Sequence, residues 1–152
     1  MQNRGLKHLL AHYAQLPVQR WHIIYPLAMM ALLFWLSSIP GTLYPDDPLV
    51  YRLFVWVPPN VQNLLHVPVF GALGWLAGWA LQAWIPDIFA AVATAFIWAA
   101  GYGVLDEWHQ SFVIGRYGSL SDVLLDTAGV ALGLWLFKRA RQSPKAVVKP
   151  EL

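Results

Sequence analysis

Between residues 106 and 126 the chain collects Asp106, Glu107, His109, Gln110, Arg116, Asp122 and Asp126, and His66 adds an imidazole upstream. Carboxylates and imidazoles move protons in general acid–base catalysis. An arginine grips a carboxylate or phosphate through paired hydrogen bonds. The set therefore suits capture of an anionic group, and chemistry on it. Glu107, Asp126 and His66 are the candidate catalytic residues. Glu107 or Asp126 is the expected base, and His66 or His109 the proton carrier. Arg116 would hold phosphate or another anion, with Gln110, His109, Asp106 and Asp122 as further substrate-binding groups.

Helical spacing supports the grouping. Asp106, His109 and Gln110 share a face at i, i+3 and i+4, Glu107 meets Gln110 at i+3, and Asp122 meets Asp126 at i+4. Two stacked carboxylates repel in low dielectric unless Arg116, a metal or a retained proton compensates.

Other chemistries find little support. His66, Asp106, Glu107, His109, Asp122 and Asp126 supply nitrogen and oxygen donors, but no His-Glu-x-x-His or comparable pair is present. No metal and no cofactor is expected. Gly-x-Ser-x-Gly, P-loop and dinucleotide fingerprints are missing, and Ser111 and Ser121 lack a positioned partner. The absence of cysteine excludes disulfides and thiol nucleophiles. A net charge of +2 without a basic stripe argues against nucleic acid.

The elements that position these groups belong to a membrane. Of 152 residues, 58% are hydrophobic and 12% charged, about half the charge of a soluble domain. Lipid can serve as solvent for such a surface, and ionisable groups beside a bilayer core are costly enough to mark function. A spanning helix needs about 20 mostly apolar residues. Four runs qualify, at about 22–39, 61–84, 86–105 and 120–137. Segment 49–57 contains Arg52 and is too short to span, so it reads as an interfacial or re-entrant piece. The expected fold is an all-α membrane protein, a bundle of four transmembrane helices with an N-terminal interfacial amphipathic helix. That helix would use a face of Leu6, Leu9, Leu10, Tyr13 and Leu16. Residues 1–20 form the amphipathic segment, 21–138 the membrane domain and 139–152 a basic tail, polar and disordered after Arg141.

Basic residues set the orientation. Arg4, Lys7 and Arg20 precede the first span, and Lys138, Arg139, Arg141, Lys145 and Lys149 follow the fourth. Both termini are then cytoplasmic. The first apolar run is longer than a signal-peptide core and no Ala-x-Ala-like site follows, so it reads as an uncleaved anchor. Trp21 and Trp84 fall near the inner interface, Trp56 and Trp108 near the outer one. His66, the 106–110 cluster, Arg116, Asp122 and Asp126 all come to the outer face.

Blander roles stand beside these. Ser119-x-x-Asp122 has the form of a capping box. Arg116 with an acid could be a static ion pair, His66 a helix-packing hydrogen bonder and His109 a solvated loop residue. Gly74-x-x-x-Gly78 and Gly129-x-x-x-Gly133 are small-residue faces for helix contact, and could support a homodimer.

Four stretches resemble the VanZ-like family of small bacterial membrane proteins. Ser37-Ser38-Ile39-Pro40-Gly41 resembles its Ser-Ser-x-Pro-Gly exit, and His66 through Phe70 its His-x-x-x-(Phe/Tyr) helix. Glu107-x-x-Gln110-x-Phe112-x-x-Gly115-Arg116 resembles its polar core, and Ser119-x-x-Asp122-x-x-x-Asp126-x-x-Gly129 its last helix. The likeness covers roughly residues 30–137. There are departures: Gln62 and Asn63 stand where the family often has Asp-Lys, Asp126 where Asn is commoner, and Val113-Ile114 where Pro often precedes Gly115. The family is named for a protein associated with teicoplanin resistance. The resemblance implies a place in the bacterial cytoplasmic membrane and a role in the cell envelope, without a reaction.

Two functions stay open on the sequence. One is an enzyme acting at the outer leaflet on an envelope lipid or lipid-linked intermediate. The other is a non-catalytic binding, accessory or structural module whose polar cluster fixes helix packing. A proton-linked carrier fits less well, because the polar groups reach only one face and leave no through path.

Overall fold

The computed structural model describes residues 3–42, 44–49, 51–52 and 56–143. Among them the chain is all helical: α1 Asn3–Ala14, a 3₁₀ turn Arg20–Ile23, α2 Ile24–Ser37, α3 Pro59–Leu81, α4 Ile88–Gln110 and α5 Leu120–Arg141. The last three contain segments long and apolar enough to cross a membrane, Val61–Leu81, Ile88–Gln110 and Leu120–Arg141. The chain is a multi-pass membrane protein. The large apolar side chains Ile97, Leu105, Leu124 and Trp135 stay exposed on these helices, as lipid-facing positions do.

The sequence places helix boundaries where local chemistry predicts. Pro59 opens α3 at a position where its missing N–H costs nothing. The Asp87 side chain accepts from Ala90 N at 2.7 Å and caps α4. Lys138, Arg139 and Arg141 end α5, where cations favour the helix dipole.

The first expected span is shorter than the sequence suggests. After the 3₁₀ turn, α2 has 14 residues, about 21 Å of helix, against a hydrocarbon thickness of about 30 Å. Its end is chemical. The hydroxyls of Ser37 and Ser38 both turn back to the Phe34 carbonyl, at 3.0 and 2.6 Å, and Pro40 disfavours helix at the preceding residue. At the other extreme α4 runs five residues past the expected Leu105, carrying Asp106–Gln110 on regular helix.

Helices α3 and α5 pack backbone to backbone. A Cβ on Gly133 would lie 1.9 Å from Gly71 O, and one on Gly129 2.5 Å from Val67 O. Only hydrogen fits there, as in small-residue contacts between membrane helices. Both glycine faces considered for a dimer are thus occupied inside one chain. Phe70, Leu73, Ala77, Ala95, Ala99, Val130 and Leu134 fill the centre where α3, α4 and α5 meet.

Helix α1 docks at the far end of this bundle through Leu10 and Ala14, against Phe137 and Ala140. Arg141 Nη1 reaches Ala14 O at 3.3 Å, and Gln15 Nε2 reaches Ser143 O at 2.7 Å. The expected apolar face divides: Leu10 turns inward with Ala11 and Ala14, whereas Leu6, Leu9 and Tyr13 are exposed. The expected interfacial segment 49–57 and the expected disordered tail after Arg141 both lie partly outside the described residues, the tail from residue 144 on.

Candidate functional site

The end of α4 is the hub. Asp106, Glu107 and Gln110 are all buried there. Asp106 accepts from Ser37 Oγ of α2 at 2.8 Å and from Gln110 Nε2 at 3.0 Å. The same amide donates to Glu107 Oε1 at 3.0 Å. Gln110 Oε1 accepts from Arg116 Nη1 at 3.0 Å, and Arg116 Nε donates to Ile39 O at 2.8 Å. One amide side chain therefore links two carboxylates to the guanidinium. Burial lowers the Arg116 pKa against the pull of Asp106 and Glu107, and a guanidinium stays charged in proteins regardless.

Backbone contacts hold Arg116 in place. Gly41 N donates to Ile114 O at 3.0 Å. A Cβ on Gly41 would fall 2.0 Å from Gly115 O, and Gly115 itself has φ +75°. These two glycines bring the exit of α2 onto the loop before Arg116, a fit that side chains would prevent.

Glu107 ties α4 to the start of α5, its Oε2 accepting from Ser119 N at 2.9 Å. This corrects the capping-box reading. The amide that Asp122 would have satisfied is taken by Glu107 from another helix, and Asp122 Oδ1 is buried without a partner. His109 is likewise no solvated loop residue: it stacks on Phe34 at 4.4 Å, with its Nε2 3.0 Å from Ser38 Oγ.

Deeper, His66 Nδ1 of α3 lies 2.7 Å from Asp126 Oδ1 of α5. Asp126 is fully buried, and its second oxygen has no hydrogen-bond partner. Gly103 of α4 makes room for it, since a Cβ there would sit 3.0 Å from Asp126 Cβ. One donor atom from each of His66, Glu107 and Asp126 lies within 4.8 Å of the others.

An open cavity of about 220 Å³ lies over this arrangement. Leu33, Leu36, Leu65, Val69 and Phe70 give it an apolar wall, while His66, Asp106, Gln110, Arg116, Ser37 and Gln62 give it polar ground. Of the expected site residues, His66, Asp106, Gln110 and Arg116 line the cavity. Glu107 and Asp126 adjoin that lining through Gln110 and His66 respectively, and Asp122 and His109 stand further aside. Ser37, Ser38 and Gln62 were not among the residues expected to form the site. Their signal was position, with the two serines ending the first apolar run and Gln62 one helical turn before His66.

A family model described as VanZ/LLP1 matches residues 22–141. No curated protein and no solved structure matches the chain.

Proposed function

The chain belongs to the VanZ-like family of membrane proteins, and from that premise we propose that it binds the polar head of an envelope lipid or lipid-linked intermediate and acts on it. The carrying observation is the cavity, apolar along Leu33, Leu36, Leu65 and Val69 and polar at His66, Gln110 and Arg116. Such a division fits an amphiphile, with a chain against the leucines and a phosphate or other anion at the guanidinium. His66 moves the proton to or from the reacting oxygen, because it lines the cavity and Asp126 fixes its tautomer from behind. Glu107 already accepts on both oxygens, so it holds the loop and α5 in place.

In this reading α2 and its 3₁₀ turn form a fourth, short crossing, and α1 lies in the inner interface with Leu6, Leu9 and Tyr13 toward lipid. The distribution of basic residues supports cytoplasmic termini in the bacterial inner membrane, with the site facing outward. Exposed Trp108, Phe112, Ile114 and Tyr117 around the site suit the outer headgroup layer. Teicoplanin susceptibility is then one trait that altered envelope lipid could change. A homodimer would need a face other than the glycine faces.

The test is mass spectrometry of defined lipids incubated with purified protein in nanodiscs. A changed head group, lost in His66→Gln, supports the reading. A second reading, a binding module, draws on the engagement of Asp106 and Glu107 in packing. Stoichiometric lipid binding that Arg116→Ala abolishes, with no product, would favour it.

A further inference from the structure

We propose that His66, Glu107 and Asp126 hold a divalent metal ion where α3, α4 and α5 meet. The three residues come from three helices, yet each offers a donor atom within 4.8 Å of the other two. Donors on a common ion at about 2.1 Å stand roughly 3–4 Å apart. Side-chain rotation of about an ångström closes the set. An imidazole with carboxylates suits manganese, zinc or iron(II).

An independent observation points to a missing partner. Asp126 is fully buried, and its Oδ2 accepts no hydrogen bond. Asp122, one turn earlier on α5, also buries an oxygen, Oδ1, without a partner. Buried carboxylate oxygens are rarely left so, and a bound ion is one of their ordinary partners. Charge points the same way. Asp106, Glu107, Asp122 and Asp126 are all buried. The basic groups hydrogen-bonded into this set, among the described residues, are Arg116 through Gln110 and His66. Four carboxylates facing one guanidinium and one imidazole leave negative charge in a low dielectric. A divalent cation offsets it.

The ion takes the place of the proton between His66 Nδ1 and Asp126 Oδ1. Glu107 keeps lone pairs for it, because one of its oxygens accepts from Gln110 and the other from Ser119, and each can accept more. With the ion on Nδ1, the ring keeps its proton on Nε2 and can donate a hydrogen bond into the cavity. The site's existence does not depend on turnover, so it stands or falls apart from the reading above.

The experiment uses full-length protein in detergent and Mn²⁺ alone as the probe, followed by electron paramagnetic resonance. The expected result is one bound Mn²⁺ per chain, with a nitrogen hyperfine coupling from His66. Affinity falls at least tenfold in Asp126→Asn and in Glu107→Gln, while Trp135→Phe binds as the parent does. The nitrogen coupling reads the unsubstituted protein, so a variant that fails to fold does not blunt the test. Absence of bound Mn²⁺, and of Zn²⁺ by elemental analysis after loading, overturns the site. So does binding without a nitrogen coupling, or binding that survives both carboxylate substitutions. A protonated-carboxyl infrared band without bound Mn²⁺ identifies retained protons as the compensation instead, and also overturns it.

Discussion

His66 Nδ1 and Asp126 Oδ1 meet at 2.7 Å across the α3–α5 interface, with Gly103 of α4 closing the third side. The pair joins a cavity-lining ring to a carboxylate that never meets solvent. Its geometry depends on how closely three helices approach, and this gives the first prediction.

Gly103→Ala should disturb the pair without touching either member. The added methyl would lie 3.0 Å from Asp126 Cβ and 3.1 Å from its Oδ2. Overpacking of this kind costs about 1–3 kcal/mol. Thermal unfolding in detergent should show a lower Tm, and head-group conversion should fall at least tenfold. Unchanged values in both would mean that α4 and α5 have slack at this level.

Glu107→Gln should destabilise the protein even though its shape is kept. One oxygen of Glu107 faces Gln110 Nε2 and the other faces Ser119 N, both donors. A glutamine must turn its own NH₂ toward one of them. A buried donor left without an acceptor costs about 1–3 kcal/mol. Denaturant unfolding measures it, and a variant as stable as the parent would argue that the Ser119 contact is loose.

Arg116→Lys should fail to replace the arginine. Nε serves Ile39 O while Nη1 serves Gln110 Oε1, a fork that an ammonium cannot reproduce. Binding of a phosphate-bearing lipid to vesicle-reconstituted protein should weaken about 10–100-fold, or roughly 1.4–2.8 kcal/mol. Parent-like affinity in the lysine variant would reduce Arg116 to a point charge.

Gly133→Leu should separate α3 from α5. Its Cβ alone would lie 1.9 Å from Gly71 O, so the contact cannot persist. Loss of the folded species on size exclusion is expected, and His66 and Asp126 should lose each other with it. A folded, parent-like Gly133→Leu would disprove the backbone contact.

Much of this was readable from the chain, for identifiable reasons. The three long helices follow from apolar runs bounded by proline, a capping aspartate and terminal basic residues. The Asp106–Gln110 face follows from spacing within one helix. The His66–Asp126 pair does not, because spacing rules stop at the helix end and the register between α3 and α5 is set by Gly71 and Gly133. Hydropathy also misjudged α2, since it does not register Ser37 and Ser38 folding back on Phe34. The capping alternative for Asp122 rests on Ser-x-x-Asp, a local rule, whereas Glu107, on another helix, supplies the acceptor for Ser119 N.

For the proposed lipid substrate, the leucine and valine wall of the cavity changes what concentration means. A substrate that keeps its tail against Leu33, Leu65 and Val69 arrives by diffusion within a leaflet. Occupancy is then governed by the mole fraction of that lipid among its neighbours, and diluting the sample with buffer leaves it unchanged. Adding inert lipid lowers it. Membrane composition would thereby act as a control on the proposed site.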